Sequence, residues 1–308
     1  MIVFLKMTTR NKILKYAAID IGSNAVRLLL CNAIEEHGVV HFKKSELIRI
    51  PLRLGEDVFK AGRIYEEKAE RFVKTMKAFK LLIDVFEPVA FRACATASMR
   101  EAINGQELVD KVKKQCGLQI EIISGKDEAE LIYSNHVEEF LNNDHSYLYI
   151  DVGGGSTELT VFDKGEVVAS NSFDVGTLRW LGGKVSKELW EEMKEWTKVN
   201  TVNHQPMTAI GSGGNINKIF KMIGRKSKSL PFEKLKELYG ELKIHSIDDR
   251  MEIWGLSPDR ADVIVPAAKI YLSMMKAANA EEIIVPQIGL SDGIVHQLHF
   301  ENKRSLVA

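Results

Sequence analysis

The chain has 308 residues, 45% of them hydrophobic and 27% charged, a composition that disfavours disorder and a length sufficient for two domains. Its 42 basic side chains balance 42 acidic ones, so no net field attracts it to DNA or a membrane surface. This balance is compatible with a local basic cleft that binds a polyanion. The three cysteines, Cys31, Cys94 and Cys116, form neither a disulfide framework nor a C-x-x-C motif, which is typical of a reducing compartment.

We expect the first residues of the chain to be neither a signal peptide nor a membrane span. Residues 1–5 are apolar but are followed by Lys6, and residues 8–15 are polar, which fits neither a signal peptide nor a membrane span. We therefore expect a cytoplasmic location, with no membrane and no nucleic-acid partner.

The first strand-like run of the chain occurs twice. Residues 18–23 (AIDIGS) are echoed by residues 149–154 (YIDVGG), each an apolar strand that ends in Asp and Gly. Each copy precedes two further strand-like runs, which are residues 26–31 and 39–42 in the first half and residues 159–162 and 166–170 in the second. The sequence therefore predicts two similar halves that each begin with a β-meander.

Helical and strand-like patterns alternate after each meander. In the first half we predict helices at 65–86 and 98–116 and strands at 89–93 and 119–123. A helix from 127 to about 140 joins the halves and is a candidate hinge. In the second half we predict helices at 186–198, 215–222, 232–242 and 259–278 and strands at 207–210 and 282–285. This alternation is typical of a mostly parallel, covered sheet.

Three consecutive glycines follow the second echo, in residues 151–158 (DVGGGSTE). Glycines between strand residues weaken a purely structural hairpin, so we expect a ligand to approach the backbone there. Successive amides without Cβ atoms form a concavity that binds anions, and phosphate is the natural guest. The alternative is a tight hairpin turn without a ligand.

The first echo supplies a similar turn, residues 22–27 (GSNAVR), whose arginine can make bidentate contacts with phosphate. If the halves face each other, the two turns oppose each other across a cleft. Asp20 and Asp151 at their bases then suit Mg²⁺, which prefers hard oxygen ligands. A third glycine turn, residues 211–214, points a helix N-terminus toward the same region.

Five blocks in order resemble the signatures of the exopolyphosphatase and guanosine pentaphosphate phosphatase family. The blocks are residues 20–27, 95–104, 123–129, 151–158 and 260–266. The resemblance implies an α/β fold, a duplicated, ribonuclease H-like, two-lobed architecture shared with actin, sugar kinases and Hsp70 chaperones, with a cleft between the lobes. The implied lobes are residues 1–126 and 127–296, and the segment from about 297 to 308 is a candidate to pack back on the first lobe.

The resemblance also implies the reaction, which is Mg²⁺-dependent release of terminal orthophosphate from inorganic polyphosphate or guanosine pentaphosphate. Glu128 matches the catalytic glutamate that orients and deprotonates water, and Asp151 and Glu158 match two further catalytic carboxylates. The expected metal ligands are Asp151, Glu158 and Asp20. The expected phosphate-binding residues are Gly22, Ser23, Asn24, Arg27, Arg100, Gly153, Gly154, Gly155, Ser156, Thr157, Gly213 and Gly214.

Several positions depart from the family pattern. Asp127 and Glu130 replace a glutamate and an arginine around the catalytic block, Ala267 replaces a frequent glycine, and residues 176–179 follow their block loosely. The chain also ends at Ala308 without the additional carboxyl-terminal domain of long members, so it resembles the short, two-domain form. The resemblance makes a homodimer an expectation, but no stretch of sequence marks its interface.

Other interpretations remain at this level. Residues 178–185 lack the first glycine and the final hydroxyl of a P-loop, which excludes that motif. A kinase or ATPase of the same superfamily would bind a nucleotide at residues 211–215, and a catalytically weak sensor would bind an alarmone or polyphosphate without turnover. Glu128 could be a first-turn helix charge, Arg260 and Asp262 could simply cap or pair, and His136 is expected to be structural.

Overall fold

The computed structural model describes residues 12–36, 38–133, 144–224 and 229–307. The amino-terminal segment, His136 and the predicted helix beyond residue 133 lie outside these ranges. Within them, no helix combines the length and the apolar character that crossing a bilayer requires.

The described residues of the first lobe form five strands and five helices. The strands β1 to β5 are Lys12–Ile21, Val26–Glu36, Val39–Ile50, Ala90–Ala95 and Glu121–Ile122. The helices α1 to α5 are Leu54–Ala61, Glu66–Phe86, Ala97–Glu101, Gly105–Cys116 and Gly125–Tyr133.

The second lobe repeats this plan with additional helices. Its strands β6 to β11 are Ser146–Val152, Thr157–Asp163, Glu166–Phe173, Met207–Ser212, Ser229–Pro231 and Glu282–Ile284. Its helices α6 to α13 are Thr177–Leu181, Lys187–Thr201, Gly214–Ile223, Phe232–Ile244, Ile247–Trp254, Pro258–Ala261, Ile264–Ala277 and Leu290–Val307.

The two sheets have the same strand order, which confirms the duplication. The first runs β3-β2-β1-β4-β5 and the second runs β8-β7-β6-β9-β11-β10. In each, an antiparallel meander is extended by strands parallel to its first strand, β4 beside β1 and β9 beside β6. This is the ribonuclease H-like order, so the fold class predicted from the sequence is confirmed.

The hairpin between β7 and β8 shows how local sequence specifies these meanders. Lys164 and Gly165 form its two-residue loop, and both have positive φ, 51° and 84°. Two such residues define a type I′ turn, whose twist matches that of the flanking strands. Asp163 and Glu166 are accordingly directly paired.

Three apolar clusters hold the molecule together. One packs the first sheet against α1, α2 and α4, and a second packs the second sheet against α7, α8, α9 and α12. The third joins the lobes: Tyr16 on β1, Tyr147 on β6, Leu131 on α5 and Ile294 on α13 belong to it. The lobes therefore share an apolar core beneath the cleft rather than contacting only through loops.

Helix α13 returns from the second lobe to the first-lobe sheet. His299 is buried against the Tyr16 hydroxyl at 3.2 Å, and Asn302 donates to the same oxygen at 3.1 Å. At its start, Asp292 pairs with Lys44 of β3 at 2.7 Å. Other ion pairs between the lobes include Arg49–Asp259 at 2.5 Å and Arg53–Asp262 at 2.6 Å.

Some predicted elements differ in the structure. The helix expected at 98–116 is divided into α3 and α4, because the Asn104 side chain pairs with the Ile64 backbone through two hydrogen bonds. The helix expected at 259–278 is divided into α11 and α12, with the intervening Asp262 bound to Arg53. The sequence analysis did not predict α1, α6, α10, α13 or β10. These elements are short, or have an apolar pattern that only their neighbours explain.

Candidate functional site

The glycine turns of the two lobes touch each other. A Cβ placed on Gly154 would lie 3.0 Å from Ser23 Cβ and 3.2 Å from the Asn24 amide nitrogen. A Cβ on Gly155 would lie 3.0 Å from Ser23 Oγ. Only residues without side chains allow this approach, which explains the glycines at these positions.

Carbonyl oxygens of the second-lobe turn accept hydrogen bonds from helix α6. The amides of Thr177 and Leu178 donate to the oxygens of Gly153 (3.0 Å) and Gly154 (2.9 Å). Because a trans peptide sets its C=O and the following N–H in opposite directions, the amides of Gly154 and Gly155 point away from α6. Neither they nor the Ser156 amide donates to an acceptor within the described chain.

The first-lobe turn is held in the same way. The amides of Gly55 and Arg53 donate to the oxygens of Ser23 (2.9 Å) and Asn24 (3.0 Å). The amides of Asn24 and Ala25, which share peptide groups with these two carbonyls, therefore also point away from α1. Two facing sets of unpaired N–H groups form a concavity suited to an anion.

A cavity of about 310 Å³ lies between the lobes at these turns. Fourteen of the residues predicted for the site line it: Asp20, Gly22, Ser23, Asn24, Arg27, Glu128, Asp151, Gly153, Gly154, Gly155, Ser156, Glu158, Gly213 and Gly214. A volume of this order accommodates a small charged ligand. The structure thus brings both turns, the connecting helix and the third glycine turn to one cavity.

The duplicated hairpins place different charges at equivalent positions. Asp20 lies opposite Arg27 on β1 and β2, and the two side chains form an ion pair at 2.5 Å. Asp151 lies opposite Glu158 on β6 and β7, where two carboxylates face each other. The first pair joins an acid to a base, whereas the second sets two acids against each other, which raises the pKa of Asp151, so a cation would be stabilised on the second-lobe side.

Glu128 reaches the cavity from the first turns of α5. Its Oε2 is buried and lacks a hydrogen-bond partner among the described residues. Burial raises the pKa of Glu128 well above its ordinary value, and the negative charges of Glu158 and Asp151 raise it further. An unsatisfied carboxylate oxygen at a polar cavity is suited to accept a hydrogen bond from water.

The neighbouring carboxylates differ in their hydrogen bonds. Glu158 Oε1 accepts from the hydroxyls of Ser156 (2.6 Å) and Ser172 (2.9 Å), which orient it, while burial raises its pKa. Burial also raises the pKa of Asp151 to about 7, with a further contribution from Glu158. The Ser156 hydroxyl expected to contact phosphate is therefore bonded to Glu158, and the Ser156 amide remains for an anion.

Two predicted phosphate ligands lie outside the cavity lining. The Thr157 hydroxyl is buried and donates to the Val175 carbonyl. Arg100 donates to the Ile123 carbonyl at 2.8 Å, although its charge lowers the pKa values of Glu128 and Glu158. In this structure, both side chains are bonded to backbone carbonyls and neither residue lines the cavity.

The sequence analysis missed most of the basic side of the cavity. Arg260, interpreted there as a capping or pairing residue, lines the cavity and donates to the Gly214 carbonyl at 2.6 Å. Burial, together with repulsion from Arg49 and Arg27, lowers its pKa to about 10. The other basic lining residues not predicted are Lys44, Arg49, Lys218 and Lys221. Their one sequence signal is the i, i+3 spacing of Lys218 and Lys221 after a glycine turn.

Replacing Gly155 with alanine is expected to separate the two turns. The new Cβ would lie 2.7 Å from Phe59 Cζ and 2.8 Å from Ala97 Cβ, and such overpacking costs about 1 to 3 kcal/mol of unfolding free energy. Gly240→Ala is the matched control, because nothing lies within 4 Å of that exposed helical position and alanine favours a helix. Denaturant unfolding should show opposite signs for the two variants. Equal stability of Gly155→Ala and the unsubstituted protein would contradict the tight contact.

Comparison with known proteins agrees with this geometry. Residues 35–300 match the model of the Ppx/GppA phosphatase family, so the chain belongs to that family. A bifunctional 3-dehydroquinate synthase/phosphatase of Fusobacterium nucleatum is 27% identical over 90% of the chain. A guanosine-5'-triphosphate,3'-diphosphate pyrophosphatase of Aeromonas salmonicida is 25% identical over 92%, and exopolyphosphatase 1 of Mycobacterium bovis is 23% identical over 92%.

The relatives differ in how much of their length is matched. The chain spans 45% of the Fusobacterium protein, 59% of the Aeromonas protein and 87% of the mycobacterial protein. Among solved structures, an exopolyphosphatase from Cytophaga hutchinsonii superposes with a TM-score of 0.81 at 24% identity, covering 93% of this chain and 98% of that one. This likeness establishes a shared fold.

Proposed function

We propose that this protein is a Mg²⁺-dependent phosphoanhydride hydrolase that releases terminal orthophosphate from inorganic polyphosphate, guanosine pentaphosphate or both. The observation that carries the proposal is the arrangement of one cavity. Unpaired amides of both glycine turns face it, and it contains a buried carboxylate oxygen of Glu128 without a partner. An anion-binding concavity beside a candidate general base is what hydrolysis of a terminal phosphoryl group requires.

The proposed reaction is an in-line displacement. The amides of Gly154, Gly155 and Ser156 bind the terminal phosphoryl oxygens, and Glu128 Oε2 accepts a hydrogen bond from a water molecule. The water oxygen forms a bond to the terminal phosphorus while the bridging P–O bond breaks, and the water proton passes to Glu128. Arg27 and Arg260 offset the developing negative charge.

The residues present fit a hydrated Mg²⁺ ion. Among the described residues, no three His, Cys, Asp or Glu side chains gather as a ready-made metal cage. Mg²⁺, however, is usually bound by one or two carboxylates together with water and substrate phosphate. Asp151 and Glu158 face each other without a basic side chain bonded to either among the described residues and would hold it, whereas Asp20 is already paired with Arg27. When bound, the ion supplies charge neutralisation at the phosphoryl oxygens.

The basic side of the cavity supports a substrate with several phosphates. Lys44, Arg49, Lys218 and Lys221 also line the cavity and would contact phosphates beyond the terminal one, Lys44 and Arg49 by exchanging their ion pairs with Asp292 and Asp259. The names of the Aeromonas and mycobacterial relatives, a guanosine-5'-triphosphate,3'-diphosphate pyrophosphatase and an exopolyphosphatase, support these two substrates.

The proposal is tested with a phosphate-release panel of polyphosphate, guanosine pentaphosphate and short oligophosphates. We expect orthophosphate release from at least one substrate with Mg²⁺ and none with EDTA. Phosphoryl transfer from ATP to an acceptor would indicate a kinase of the same fold. Binding of polyphosphate or guanosine pentaphosphate without any phosphate release would indicate a sensor, and either outcome would overturn the hydrolase.

A further inference from the structure

Arg179 lies directly behind the triple-glycine turn, on the side away from the cavity. Its side chain is 11% exposed, and its Nε donates to the Gly155 carbonyl at 2.5 Å. Arg179 is not among the residues that line the cavity, so it does not meet the bound anion. Any effect on the site must therefore act through the turn.

The Gly155 carbonyl differs from those of Gly153 and Gly154 in the group that donates a hydrogen bond to it. The oxygens of Gly153 and Gly154 accept from backbone amides of α6, which nearly any residue would supply. For the Gly155 oxygen, the hydrogen bond recorded within the described chain comes from a side chain, that of Arg179. Because the Gly155 C=O and the Ser156 N–H belong to one planar peptide, this bond sets the direction of the Ser156 amide.

The first lobe holds the guanidinium in place. Arg179 Nη2 is bonded to Glu101 at the end of α3, and the guanidinium carbon lies 4.2 Å from the centroid of the Phe59 ring on α1. Asp174 of the second lobe adds a contact at 3.2 Å. A planar guanidinium can make these contacts and the carbonyl bond at once, whereas a lysine ammonium cannot reproduce the fork and the stacking.

The geometry points to Arg179 as the positioning residue of the anion-binding turn, coupled to the first lobe through Glu101 and Phe59. It directs the Ser156 amide into the cavity, so the third donor of the turn depends on contacts between the lobes. The inference rests on the proposed phosphate site but not on turnover.

The test compares Arg179→Met with Arg250→Met. Arg250 is the matched control, because it also donates to backbone carbonyls, those of Leu242 (2.8 Å) and Ala261 (2.9 Å), but lies outside the cavity lining. Binding of tripolyphosphate with Mg²⁺ is measured by calorimetry, with thermal unfolding in parallel. Arg179→Met should weaken binding by about tenfold, the effect of losing one well-aligned hydrogen bond to an anion. Arg250→Met should lower the unfolding temperature and leave the affinity unchanged.

Two further variants of Arg179 keep the inference testable if Arg179→Met does not fold. The first, Arg179→Lys, should bind tripolyphosphate more weakly than the unsubstituted protein. In the second, Arg179→Ala, added guanidinium ion should restore affinity, whereas it should not raise the affinity of the control Arg250→Ala. A folded Arg179 variant with affinity within twofold of the unsubstituted protein would overturn the inference, as would an unsubstituted protein that binds no tripolyphosphate. Binding of tripolyphosphate without hydrolysis would contradict the proposed function but not the positioning role of Arg179.

Discussion

Replacing Glu128 with glutamine is expected to lower kcat by about 10²- to 10⁴-fold, the usual contribution of a positioned general base. Glutamine preserves the size of the side chain and removes the group that accepts the proton of the attacking water. The buried Oε2 has no other partner in the described chain, so the substitution breaks no recorded hydrogen bond. Orthophosphate release and tripolyphosphate binding should be measured together, because affinity is expected to change little.

Glu130→Gln is the matched control for this substitution. Glu130 lies on the same helix, α5, and is exposed, so its turnover should equal that of the unsubstituted protein. The pH profile adds a second criterion. Since burial and three nearby carboxylates raise the pKa of Glu128, kcat/KM should rise with pH until Glu128 is ionised. If Glu128→Gln retained full activity, another group would have to be the base.

Replacing Asp151 with asparagine is expected to have opposite effects on activity and stability. Activity should fall by about 10² or more, the scale on which loss of one electrostatic stabiliser acts. The pKa of Asp151 is about 7 in the folded protein and 3.8 as the ordinary value. The folded state therefore holds a proton that the unfolded chain releases, so this stability is complete below about pH 4 and is lost as pH rises through about 7.

Asparagine stays neutral, so this pH-dependent loss should disappear in the variant. In denaturant unfolding with EDTA, the unfolding free energy of the unsubstituted protein should fall between acid and alkaline pH. In Asp151→Asn this fall should be smaller by about 1 to 3 kcal/mol, because water in the cavity screens part of the charge. Asp248→Asn, on an exposed position of α10, should change neither activity nor this slope. A variant with the same slope as the unsubstituted protein would show that Asp151 is ionised throughout.

Local sequence was sufficient to predict the duplicated meanders and the glycine turns. Apolar runs that end in Asp-Gly, and a hairpin loop such as that at Lys164 and Gly165, depend on contacts between near neighbours in the chain. Helix α13 could not be predicted in this way, because its pattern makes sense only against β1, where His299 meets Tyr16. Its partners are almost the whole chain length away.

The residue types available for chemistry can be read from the chain: two glycine turns, each beside an Asp, and a glutamate on the connecting helix. Folding sets the partners of each of these residues. It pairs Asp20 with Arg27 but sets Asp151 against Glu158, and it binds the Gly155 carbonyl to Arg179. The physical reason is that the charge state of a carboxylate and the direction of an amide depend on groups brought together by folding, which neither composition nor spacing records.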